Sequence, residues 1–136
     1  MHTIEADYLV VGAGAMGMAF IDTLVTETEA RVVVDRHHAP GGHWTMAYQF
    51  VRLHQPSAFY GVNSSRLGSD AIDQVGWNRG LFELATAGEI CAYYDRIMRK
   101  PRVRERILGI AKSVFSATAT KLDELMAAEA ALAAPV

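Results

Sequence analysis

The segment Tyr8-Leu-Val-Val-Gly-Ala-Gly-Ala-Met-Gly17 leaves this chain few folds to choose from. Asp7–Val11 is a short apolar, β-branched run that stops at glycine and reads as a buried strand. From Ala15 to about Glu27 the apolar residues Met16, Ala19, Phe20, Leu24 and Val25 recur at helical spacing. Asp22, Thr23, Thr26 and Glu27 fill the other side of that helix. Arg31–Val34 is a second apolar run, closed by Asp35. Strand, glycine turn, helix and strand in this order make a βαβ unit, with a right-handed crossover.

The glycine spacing has a chemical reading. Gly12 permits a tight turn out of the strand, Gly14 lets backbone approach a phosphate, and Gly17 lets the helix pack on the sheet. Ala15 and Met16 then offer free amides at the helix N-terminus, where the dipole also favours an anion. Asp35 ends the second strand at the distance from Gly12 where a carboxylate can accept both hydroxyls of an adenosine ribose. The same charge repels a 2′-phosphate, which disfavours NADP here. These residues describe a site for the adenosine and pyrophosphate of a dinucleotide.

Residues 36–73 have no helical period and are rich in Gly, Pro, His, Ser and Asn. So long a connection is uncommon in a compact domain, so it is expected to cover a ligand or to hide short strands. Thr86-Ala-Gly-Glu89 has the capping-box pattern and opens a helix with Ile90, Tyr93, Tyr94, Ile97 and Met98 on one face. That helix is expected to stop near Lys100, because Pro101 disfavours helical geometry in the residue before it. Arg102, Arg104 and Arg106 then form a charged patch, Ile107–Val114 is apolar, and 119–134 is alanine-rich and helical in character.

With Asp35 followed by Gly41-Gly42-His43-Trp44, the chain resembles the N-terminal part of FAD-dependent oxidoreductases, specifically flavin-containing and Baeyer–Villiger type monooxygenases. Val51-Arg-Leu-His-Gln-Pro56 and Gly88-Glu89-Ile90 with Tyr93-Tyr94 are similar to further family segments, and the resemblance runs over residues 5–99. It implies FAD rather than NAD as the ligand. It also implies that Gly42, His43 and Trp44 lie along the cofactor, Trp44 as an apolar wall, that Arg36 reaches adenine or phosphate, and that His54 faces the flavin. The fold class it implies is α/β: a Rossmann-like FAD-binding βαβ unit with a partial parallel sheet, a long cofactor-covering loop and C-terminal helices.

Family members carry a second glycine-rich turn for NADPH, a substrate region and a histidine-containing signature between their nucleotide folds. This sequence has none of them. The expectation is a dinucleotide-binding domain at 1–100, a divergent helical, alanine-rich tail at 101–136, and a truncated, monooxygenase-like flavoprotein portion whose catalysis needs a partner chain. The alternatives are a non-enzymatic NAD or adenine-dinucleotide module, or an inactive remnant.

Composition narrows the remaining classes. A net charge of −2 over 136 residues gives no electrostatic case for nucleic acid, and the run Arg96–Arg106 reads as a solvated face. There is no apolar run long enough to span a membrane and no signal-peptide pattern, which points to the cytoplasm. His37, His38, His43 and His54 share a polar region without cysteine or a helical ligand pair, so no metal is expected. Cys91, the single cysteine, reads as a buried, inert thiol.

Overall fold

The computed structural model describes residues 5–35 and 39–110. Arg36, the His37–His38 pair and the alanine-rich segment 119–134 lie outside the described residues. Three strands, β1 (Tyr8–Val11), β2 (Val32–Asp35) and β3 (Ile107–Ile110), form a parallel sheet in that spatial order. Helix α1 (Ala15–Glu27) joins β1 to β2, while α2 (Ala87–Arg99) and α3 (Pro101–Arg106) precede β3. Among the described residues between β2 and α2, the helical elements are two short 3-10 turns, Gly42–Met46 and Ser57–Tyr60.

The predicted helical period of α1 holds, but its phase is shifted. Met18, Ile21, Asp22 and Val25 are the buried positions, whereas Met16 is 84% exposed and Phe20 is 48% exposed. Asp22 enters this face because the loop supplies partners for its carboxylate. Ser64 donates to it from its backbone amide at 2.9 Å and from its hydroxyl. A buried carboxylate with its own donors is tolerated where an unpaired one is not. Apolar spacing alone cannot reveal such a pairing.

β1 also departs from its expected burial. Tyr8, Leu9 and Val11 are about half exposed, because β1 is the sheet edge and pairs only with β2 among the described residues. β2 is the central strand, with Val32 and Val34 fully buried. The apolar run after Arg106 enters the sheet as β3, so part of what reads as a helical tail is strand. α3 starts with Pro101 at its first position, where the missing N–H costs nothing. It buries Val103 and carries Arg106 to the carboxylate of Glu29.

Side chains, rather than strands, hold the long connection down. Tyr93, buried on α2, accepts from the Val62 amide at 2.7 Å and donates to the Ser65 carbonyl. Ser57 accepts from the Ala85 amide at 2.7 Å and donates to the Glu83 carbonyl at 3.0 Å. Isolated antiparallel bridges, Arg52 with Thr86 and Ile72 with Phe82, add to this. Backbone groups of an irregular segment are satisfied in this way without a ladder.

The capping box of α2 is formed. The Thr86 hydroxyl accepts from the Glu89 amide at 3.3 Å, and the Glu89 carboxylate accepts from the Thr86 amide at 2.7 Å. The bond from the Thr86 amide, first, and that from its hydroxyl hold the Glu89 carboxyl below its ordinary value. A carboxyl lowered on folding adds stability that is present above its unfolded pKa and lost as pH falls through its folded pKa. Urea unfolding at about pH 6 and about pH 3 is therefore expected to show a smaller acid loss in Glu89→Gln than in the wild type. Equal losses in the two proteins would refute this.

Candidate functional site

The glycine turn and the first turn of α1 build one wall of the site. Gly14 is the N-cap of α1 and has no side chain to cap it, and the first turn has no acidic residue. The first helical hydrogen bond runs from the Met18 amide to the Gly14 carbonyl at 2.8 Å. The amides of Ala15, Met16 and Gly17 therefore precede the helical ladder and point along the dipole's positive end. Gly17 is fixed sterically, since a Cβ there would stand 2.0 Å from the Gly12 carbonyl oxygen.

The second glycine pair is folded directly onto the first. The Gly41 amide donates to the Ala13 carbonyl at 2.8 Å. Gly42 has φ +59, and a Cβ on it would lie 2.9 Å from the Gly14 Cα. Positive φ and this close backbone approach both require glycine at 42. Behind the junction, Cys91 of α2 sets its Sγ 3.1 Å from where a Gly41 side chain would begin. Cys91 is partly exposed rather than fully buried, and desolvation raises its thiol pKa, which keeps it protonated.

Together these turns bound a cleft of about 510 Å³. It is lined by Val11, Gly12, Ala13, Gly14, Ala15, Met16, Gly17, Ala39, Gly42, His43, Met46 and Tyr60. Of the residues expected at the site, Gly12, Gly14, Ala15, Met16, Gly17, Gly42 and His43 are therefore together. Asp35 stands in register with Val11, at the carboxyl end of the sheet where the glycine turn begins. Arg36 is not among the described residues.

Two expected residues are placed elsewhere. His54 is exposed and does not line the cleft. Trp44 does not line it either. It packs against the core, and its indole N–H donates to the Tyr60 hydroxyl at 2.6 Å. The physical reason is the indole's polar edge, which seeks an acceptor when the ring is buried. Tyr60, Met46 and Ala39 were not foreseen as lining residues. A tryptophan N–H in need of an acceptor was the available clue to Tyr60, without saying which hydroxyl would supply it.

A second cavity of about 350 Å³ lies between Arg52, Gly68, Glu83 and the start of α2, and none of the expected site residues lines it. Among the described residues no three of His, Cys, Asp and Glu gather as a metal-binding group. No helix among them is long and apolar enough to cross a membrane.

Comparison with solved structures places this architecture. A flavin-containing monooxygenase from Stenotrophomonas maltophilia superimposes with a TM-score of 0.53 at 19% identity. A doubly substituted variant of a flavin monooxygenase from that organism gives the same values. The chain shares its fold, distantly, with part of a flavin monooxygenase. The match covers 69% of this chain and 26% of the monooxygenase. Uncharacterized proteins of Mycobacterium tuberculosis and Mycobacterium bovis are 70% identical over 99 residues. That stretch is 72% of this chain and only 18% of the mycobacterial proteins, so the chain spans about a fifth of their length. No family model matches the sequence.

Proposed function

We propose that the chain binds FAD in the glycine cleft, as the cofactor-holding portion of a flavin-dependent oxidoreductase of the monooxygenase type. The observation that carries this reading is the contact of the two glycine turns over the N-terminus of α1. A Cβ on Gly42 would fill the space against Gly14, so the junction is built for backbone. In a Rossmann-like arrangement a ligand lies beyond the carboxyl ends of the strands, where this cleft and Asp35 are found. The amides of Ala15, Met16 and Gly17 would take the pyrophosphate, and Asp35 the adenosine ribose. Arg36 is proposed to reach adenine or phosphate. His43 is the remaining expected side chain beside the cleft.

FAD, when bound, supplies the electron-transfer chemistry, and the chain's own residues bind and orient it. Catalysis with NADPH would require polypeptide beyond these residues, in a longer chain or a partner chain. Exposed apolar groups, one lining the cleft and two following it closely in sequence, favour such a cover. Met46 is 80% exposed, and Tyr48 and Phe50 stack on each other while remaining exposed.

The purified chain is expected to take up added FAD and to retain flavin absorbance through gel filtration. Asp35→Ala is expected to weaken FAD about 10- to 150-fold, the loss of charge-assisted hydrogen bonds of about 1.5–3 kcal/mol. A colourless chain that takes up no FAD would sink the reading.

A further inference from the structure

We propose that Tyr60 is a ligand-contacting residue of the cleft, its phenol donating a hydrogen bond to a pyrophosphate oxygen while Trp44 holds the hydroxyl in place. The inference rests on the dinucleotide reading above and deepens it.

Tyr60 stands at the cleft beside the glycine turn although it is far from it in sequence. Its hydroxyl oxygen accepts from the Trp44 indole at 2.6 Å. An indole N–H can only donate, so the phenol must accept there and its own proton remains to be given. Among the described residues no acceptor takes that proton. Diphosphate oxygens at neutral pH only accept, so they complement a phenol in this state.

The cleft needs such a donor. Among its described lining residues there is no lysine and no arginine. Among the described residues, backbone amides, His43 and Tyr60 are the donors there to meet the ligand's charge, beside the proposed reach of Arg36. Tyr60 is also held rigidly. Its ring meets Trp44 edge-on at 6.0 Å and Tyr94 at 6.4 Å, and its carbonyl accepts from the buried Tyr94 hydroxyl at 3.4 Å. Burial raises the Tyr94 pKa, so that group stays a donor. A donor fixed before the ligand arrives loses little freedom on binding.

The test measures ADP, adenosine and FAD binding by calorimetry on wild type, Tyr60→Phe and Trp44→Phe. Tyr60→Phe is expected to weaken ADP and FAD alike by about tenfold or more, and to leave adenosine, which has no phosphate, unchanged. Trp44→Phe keeps the phenol but frees it, and is expected to weaken ADP by a smaller factor, again sparing adenosine. Wild-type ADP affinity in both variants overturns the proposal, as does an equal loss for adenosine, which marks a structural role. If Tyr60→Phe fails to fold, the ADP-to-adenosine comparison in Trp44→Phe decides on the same terms. Wild type that binds neither ADP nor FAD overturns the dinucleotide reading itself, a result distinct from wild type that binds and a Tyr60→Phe variant that binds equally.

Discussion

Gly17→Ala is expected to destabilise the chain by about 3 kcal/mol and to remove FAD binding with it. The added methyl would begin 2.0 Å from the Gly12 carbonyl oxygen, and that oxygen belongs to the turn's own backbone. Overpacking of a core costs about 1–3 kcal/mol even where flexible side chains absorb the strain. Here only a shift of α1 away from β1 can relieve it, and that shift opens the glycine turn. Gly14→Ala is the matched control. Its Cβ would lie 3.6 Å from the Gly42 Cα, an ordinary contact, so the variant should fold near normally while narrowing the cleft. Urea unfolding with FAD titration separates the two. A Gly17→Ala protein with the wild-type midpoint would show that the close packing of α1 on the turn does not exist in solution.

Tyr93→Ala is expected to have the largest effect on stability alone, about 3–5 kcal/mol. Domains of this kind have about 5–15 kcal/mol in total, so most of the margin would go. Tyr93 is buried against Tyr94 at a ring separation of 5.1 Å, and its hydroxyl serves two backbone groups of the 62–65 segment. Tyr93→Phe isolates the second contribution. It keeps the ring but leaves the Val62 amide without its acceptor, at a cost of about 1–3 kcal/mol. Thermal unfolding of the pair should rank Ala well below Phe. If the two fall equally, the hydroxyl rather than the ring carries the packing.

Features encoded by neighbouring residues were legible in the sequence. The β1–α1–β2 order, the end of α2 at Lys100 and the capping box at Thr86 depend on signals a few residues apart. Features made by distant partners were not. Asp22 looked solvent-facing because nothing near it in sequence announces Ser64. β3 was read as part of a helical tail, because a strand added across a sheet is defined by β2 and not by its own four residues. At the candidate site, the glycine motifs were recognisable from spacing. Tyr60 was not, because only the fold brings it to the cleft, where Trp44 donates to its hydroxyl.

The hydrogen bond from Gly41 to Ala13 has a thermodynamic consequence. It joins two segments far apart in sequence, so the cleft has no counterpart in the unfolded chain. A nucleotide that fits there binds the native state alone, and mass action then makes it a stabiliser of the fold. At a hundredfold excess over its dissociation constant it would add about 2.7 kcal/mol. That is comparable to the effect of a single core substitution. Ligand concentration would then enter the folding equilibrium directly.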